Sequence, residues 1–168
     1  DDQRHVASRT DVLVYATERL REPLRVAGEP YARLYASTSG SDADWVVKLI
    51  DVWPDEVPES PKLGGYQQML SADVLRGRFR EDFTVAKPIA PGKVLPYRIR
   101  LPHVSHTFLP GHRIMVQIQS SWFPLYDRNP QTWVPNIFEA KASDFRTQVH
   151  TIHSGPRAPS HIAVGVLP

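Results

Sequence analysis

The sequence predicts an all-β fold, a single antiparallel β-sandwich of jelly-roll type over residues 1–168, with at most one or two short helices. Three observations carry this. The 16 prolines sit between short runs of residues and hardly ever inside them. Within those runs apolar and polar side chains alternate, the period of an extended strand with one covered face. No strand–helix alternation recurs that would build a parallel sheet. The spacing of turn residues predicts about eight to ten strands.

Residues 12–17 (Val-Leu-Val-Tyr-Ala-Thr) are rich in β-formers and open the series. Glu22-Pro23 and Gly28-Glu29-Pro30 are turns that flank a short edge strand at 24–26. Over 31–37, Ala32, Leu34 and Ala36 share one face and Tyr31, Arg33 and Tyr35 the other, and small alanines on the inner face suit close packing of sheet on sheet. Residues 37–44 (Ser-Thr-Ser-Gly-Ser-Asp-Ala-Asp) are a loop by composition. Residues 45–53 carry apolar side chains on both faces, Trp45, Val47 and Leu49 against Val46, Ile50 and Val52, so they belong in the middle of a sheet. A turn-rich excursion at 54–65 joins them to a partner strand at 66–72. Residues 73–83 are ambiguous, since Leu75, Phe79 and Phe83 recur at helical spacing, which allows one short helix there. Strands at 97–101 and 104–108 follow a connector at 88–96. Pro110-Gly111 then turns the chain into a half-buried strand, with Ile114, Val116 and Ile118 on one face and Arg113, Met115 and Gln117 on the other. The last strands are expected at 148–153 and 162–167.

The length suits one sizeable core, whereas two domains would each be thin. With 20 basic residues scattered among 18 acidic ones, there is no basic stripe of the kind that binds nucleic acid. Arg76, Arg78 and Arg80 alternate beside Glu81 and Asp82 and read as a solvated or ion-paired strand face rather than a phosphate site. No apolar run has the length of a membrane span, so no membrane partner is expected. Cysteine is absent, which excludes disulfide and thiol chemistry. The opening Asp-Asp-Gln-Arg, without an initiator methionine, is what a piece of a longer protein would show.

Few residues suggest chemistry. A serine nucleophile on an α/β scaffold sits in Gly-x-Ser-x-Gly, and no such pentapeptide occurs. Ser120 and Ser121 precede Trp122-Phe123-Pro124, which cannot open a helix cleanly, so their hydroxyls read as strand-end caps. His103, His106 and His112 raise the idea of a cupin-like metal site, but no His-x-His pair sets two imidazoles on one face of a strand. His150 and His153 have the same defect, and all five read as surface or loop histidines. Asp42, Asp44, Asp51 and Asp55 could offer oxygen ligands to calcium, yet their spacing matches no EF-hand and they read as solvated acids. No catalytic residue, metal or cofactor is expected on this chain.

The richest stretch is 120–136, where Pro124, Pro130 and Pro135 interleave with Trp122, Phe123, Tyr126 and Trp133. A loop of that make-up needs a surface to pack on. Stacking of sugars would want exposed rings beside polar side chains, whereas proline-stiffened rings suit a protein interface, where aromatics contribute most. These four aromatics are therefore the expected contact residues, with a free-standing carbohydrate-binding module as the competing reading. Asp127-Arg128-Asn129 reads as a turn in which Asp127 and Asn129 bond local amides.

Several segments together resemble the C-terminal domain of the CocE/NonD family of serine hydrolases. They are Asp2-Gln3-Arg4, Arg9-Thr10-Asp11-Val12-Leu13-Val14-Tyr15, residues 41–52, and Leu75-Arg76-Gly77-Arg78-Phe79-Arg80-Glu81. The most specific is 109–129, with Pro-Gly-His-Arg-Ile-Met-Val-Gln, Ser-Ser, Phe-Pro and Tyr-Asp-Arg-Asn. Gly64-Gly65-Tyr66-Gln67, Asn129-Pro130-Gln131 and Val134-Pro135-Asn136-Ile137-Phe138 are more similar to the α-amino-acid ester hydrolase and cephalosporin acylase branch. The resemblance implies a galactose-binding-like jelly roll that is a non-catalytic accessory domain of an X-Pro dipeptidyl-peptidase or acyl-hydrolase type of enzyme. It implies partners in upstream α/β-hydrolase and cap domains of the same protein, and a bacterial source, periplasmic, secreted or cytoplasmic. Residues 37–44, with Asp42 and Asp44, and residues 122–133 are then the expected cleft-wall loops. A family strand just upstream of Asp1 implies an exposed sheet edge or apolar groove here, through which copies could associate.

Overall fold

The structure, a computed structural model, describes residues 2–168. The strands in chain order are β1 (Leu13–Ala16), β2 (Leu24–Gly28), β3 (Tyr31–Thr38), β4 (Asp44–Val52) and β5 (Gln67–Arg76). Then come β6 (Leu95–Arg100), β7 (Val104–Phe108), β8 (Arg113–Gln119), β9 (His150–His153) and β10 (His161–Ala163). One sheet has the order β1-β8-β4-β5; the other has β10-β3-β6, with β9 also pairing β3; β2 and β7 form a separate ribbon. Among the described residues every pairing is antiparallel, and the one α-helix, α1 (Arg4–Ala7), is a single turn. The all-β sandwich is thus as the proline spacing predicts. None of the described helices is long and apolar enough to cross a membrane.

The main core lies between the sheets and is built from the inner faces that alternation predicts: Ala32, Leu34 and Ala36 of β3 oppose Trp45, Val47 and Leu49 of β4. The indole of Trp45 packs on the Tyr97 ring at 5.2 Å. Every residue of β4 is buried, because β8 and β5 flank it and its second face is covered as well. On that second face Ile50 and Val52 cluster with Met115, while Gln3 and Trp122 lie over Lys48.

Two expectations need correction, and one open reading resolves. β8 is not half-buried: Met115, Gln117 and Gln119 are buried alongside Ile118, since β8 is an interior strand of its sheet. The ambiguity within 73–83 resolves against an α-helix. Instead β5 runs to Arg76, held in register with β4 from Asp44↔Arg76 through Val52↔Gln67, and only a 3-10 turn, Gly77–Phe79, follows. Leu75 points into the core while Phe83 is solvent-exposed, so their spacing marks no common face. Finally, the polar stretch 37–44 is mostly buried; Ser37 and Thr38 complete β3 and Asp44 opens β4.

Candidate functional site

The two stretches expected to face a partner meet each other at one end of the sandwich. Their junction is ionic. Arg78 Nε and Nη2 both reach Asp42 Oδ2, at 2.8 and 2.7 Å, and Arg76 Nη1 reaches Asp44 Oδ2 at 3.1 Å. The alternation of arginines along 76–80 is therefore ion-paired, and the pairs are largely buried rather than solvated. Arg78 continues across the lobe, donating to the carbonyls of Val134 (2.9 Å) and Pro135 (3.4 Å) and lying over the Trp133 ring at 4.6 Å. Asn129 Nδ2 donates to Asp44 Oδ1 at 2.8 Å, and Trp133 N donates to Ser41 Oγ at 2.8 Å. Gly77 makes the corner possible. Its N–H donates to the Ala43 carbonyl at 2.7 Å, and a Cβ there would sit 2.7 Å from that oxygen and 2.8 Å from Ile89 Cδ1.

Asp42 and Asp44 thus turn inward, each against an arginine of the domain, and brace the loop from behind. Burial pushes the Asp44 carboxyl from 3.8 up to about 6, with Arg76 and Asn129 opposing the shift. Because the folded value lies above the unfolded one, the folded state binds the extra proton between them. The group's favourable contribution is complete below pH ~4 and is lost as pH rises through 6. D44N is expected to flatten the stability-versus-pH curve over that interval by about 2 kcal/mol, read by urea unfolding at pH 4 to 7.

The aromatics divide. Trp122, Tyr126 and Trp133 are half-buried, Trp122 packing against Tyr126 at 5.7 Å with Lys48 Nζ 5.0 Å from its ring centre. One face of each tryptophan is therefore taken by a cation, Lys48 or Arg78. Phe123, after which the peptide to Pro124 is cis, is 63% exposed. Leu125 and Phe138, which the sequence reading does not single out, are 66% and 73% exposed and lie in the same irregular part of the chain. Their signal was available as apolar residues inside proline-rich segments, but periodicity has no purchase where no strand exists.

Other candidates resolve locally. His106 Nε2 and His112 Nδ1 meet the two oxygens of Asp51, at 2.9 and 2.8 Å, so neither is a free surface or loop histidine. His150 packs on Trp45 at 5.3 Å, and His153 Nε2 contacts Ser37 Oγ at 2.9 Å on adjacent strands. No carboxylate bonds His153 among the described residues, so this pair lacks the third group of a nucleophilic triad. Asp42, Asp44 and Asp51 are not solvated, because Arg78, Arg76 and the two histidines respectively occupy them, whereas Asp55 pairs with Arg19 at the surface and stays exposed. Among the described residues no group of three or more His, Asp or Glu side chains could hold a metal. In the 127–129 turn, Asn129 Oδ1 accepts from Gln131 N as expected, but Asp127 contributes its carbonyl to Arg76 instead of a local side-chain bond. At the opposite flank, Leu13, Val14 and Tyr15 of edge strand β1 are exposed. Beside them a groove of about 410 Å³ opens onto Leu34, Val116, Ile118, Ile152 and Ile162.

Comparison with known proteins accounts for this arrangement. Residues 3–163 match the family model of the X-Pro dipeptidyl-peptidase C-terminal non-catalytic domain. Cocaine esterase of Rhodococcus sp. (strain MB1 Bresler) is 40% identical over 166 residues, covering 99% of this chain and 27% of that protein. A crystal structure of an aminopeptidase from the marine sediment archaeon Thaumarchaeota archaeon superposes with a TM-score of 0.98 at 71% identity, over 100% of this chain and 28% of the other. A selenomethionine-labelled α-amino acid ester hydrolase gives 0.97 at 54% identity, over 99% and 27%. Identity to this hydrolase exceeds that to cocaine esterase, in line with the branch that 64–67 and 134–138 resemble. The chain spans little more than a quarter of these relatives. It belongs to the family of C-terminal non-catalytic domains of X-Pro dipeptidyl-peptidase and CocE-type hydrolases.

Proposed function

We propose that this domain packs on the α/β-hydrolase and cap domains of one longer protein, a serine hydrolase of esters or amides of α-amino acids or small acyl groups. Residues 122–133, with 37–44 bracing them, help wall its substrate cleft. The observation that carries the reading is the pairing of bare apolar side chains, Phe123 and Leu125 in the loop and Phe138 further along the same irregular stretch, with an ionic frame that braces the loop. Exposed rings on a braced loop are a contact surface already held in its bound shape. Trp122, Tyr126 and Trp133 support these side chains, and Asp42 and Asp44 fix the loop. The edge of β1 and its groove would receive polypeptide from the same longer protein.

The test is F123S combined with L125S. In the longer hydrolase the pair is expected to lower domain cohesion by about 2 kcal/mol or more, seen as a reduced thermal midpoint and a reduced kcat/KM. In the 168-residue chain alone the same pair should leave stability within about 0.5 kcal/mol of the parent. Equal losses in both would make the rings internal packing elements and sink the proposal, as would ester turnover by the 168-residue chain alone.

A further inference from the structure

Lys48 is a buried cation. It sits in the middle of β4, 2% exposed, on the face away from the inter-sheet core. One of its three N–H groups goes to a neutral acceptor, Gln3 Oε1 at 2.8 Å, and its ammonium faces the Trp122 ring. Among the described residues no carboxylate pairs with it. A buried ammonium in that condition is costly, and burial together with Arg9 holds it down at about 8. The sequence offered a signal here: a single lysine within a run whose two faces are both expected to be covered.

Lys48 lines a cavity of about 410 Å³ together with Arg9, Arg128, His5, Gln119 and Ser121, and no acidic side chain among the described residues lines it. Arg9 is engaged by Asp11, at 2.8 and 2.6 Å, whereas Arg128 stacks against Phe123 and Phe145 with no carboxylate partner among the described residues. The rest of the lining is Gln3 and an apolar stretch, Val6, Pro124 and Leu125 beside the aromatic rings. An inorganic anion would satisfy the charge and leave that wall wet. We infer that this cavity is a binding site for an organic carboxylate, its oxygens on Lys48 and Arg128 and its apolar chain against Trp122 and Leu125. The carboxylate can belong to a small free acid or to a side chain of neighbouring polypeptide; the recognising chemistry is the same. The inference does not rest on the docking role proposed above, since the site is complete within this chain.

The probe is butyrate, titrated into the 168-residue chain and followed by Trp fluorescence and by the NMR shift of the Lys48 side chain, with butyramide and sulfate as comparators. Saturable binding of butyrate is expected, tighter than butyramide and sulfate, with an upward move of the Lys48 titration midpoint. K48M should weaken it roughly tenfold to a hundredfold, the value of a hydrogen bond to a charged group. K48M is expected to fold, because an apolar chain of similar length replaces a buried charge. K48Q, which retains a hydrogen-bonding head toward Gln3, gives the same reading if K48M does not fold. Equal binding of butyramide, no saturation, or full affinity in both Lys48 variants would overturn the site, leaving an adventitious ion only. Repeating the titration in the longer hydrolase separates the sources. Retained binding there identifies a free acid as the ligand, and exclusion of butyrate identifies a carboxylate of the protein's own polypeptide.

Discussion

Replacing Arg78 by methionine is expected to destabilise the domain by about 3–5 kcal/mol, the cost of leaving a buried charge without its partner. The Arg78 and Asp42 side chains are 3% and 0% exposed, so water cannot take over either role. With the guanidinium gone, Asp42 keeps one hydrogen bond, from Ala43 N at 2.9 Å. The carbonyls of Val134 and Pro135 lose their donor and Trp133 loses the cation on its face. D42N should cost less, since the amide oxygen still accepts and Arg78 retains both carbonyls. The double variant R78M/D42L separates two causes. If the uncompensated carboxylate dominates, the double variant recovers much of the loss, because an apolar pair of similar size avoids the desolvation that the ions suffer. If it is as unstable as R78M alone, the bonds from Arg78 to 134–135 matter more than charge balance. Urea unfolding of all three variants decides between these outcomes.

The fold was readable because its information is local. Ala32-x-Leu34-x-Ala36 and Trp45-x-Val47-x-Leu49 declare their inner faces within one strand, and both sit in the core. Gly28-Glu29-Pro30 and Pro110-Gly111 declare the turns, and Gly28 and Gly111 adopt positive φ of 101° and 85°. The lobe is different in kind. Asp42 and Arg78 are separated by 36 residues and Asp44 and Asn129 by 85, so each half was visible only as an acid in a polar loop, an arginine in a charged run or an amide in a turn. Pattern reading treated the acids as solvated because acidic loops usually are, and nothing in 37–44 shows that two arginines will descend on it. The same limit left 73–83 ambiguous, where Leu75, Phe79 and Phe83 mimic a face that pairing with β4 overrides. The aromatic stretch was legible as a contact surface but not in its division. Which rings cap a cation and which stand free depends on where Lys48 and Arg78 arrive from.

The second large effect concerns Asp51, where three elements share one carboxylate. D51A is expected to cost about 2–4 kcal/mol, because it strips His106 and His112 of their acceptor while His112 stays buried. As a carboxylate, Asp51 only accepts, so His106 donates from Nε2 and His112 from Nδ1. Around this group the β2–β7 ribbon is tied to the main sheet: His106 belongs to β7, Asp51 to β4, and His112 precedes β8 in the turn after Gly111. His112 also packs on Trp53 at 5.6 Å, and His106 on Phe108 at 4.9 Å, so each ring anchors an apolar neighbour as well. The two histidine deletions should be superadditive. Removing either leaves Asp51 one donor, whereas removing both leaves a buried carboxylate with none. The cycle H106A, H112A and H106A/H112A is therefore expected to show a coupling of about 1–2 kcal/mol beyond the sum of the single losses. In a D51A background, where no carboxylate remains to be orphaned, that coupling should vanish. Its persistence would mean that the rings communicate through packing of the ribbon instead of through the shared acid.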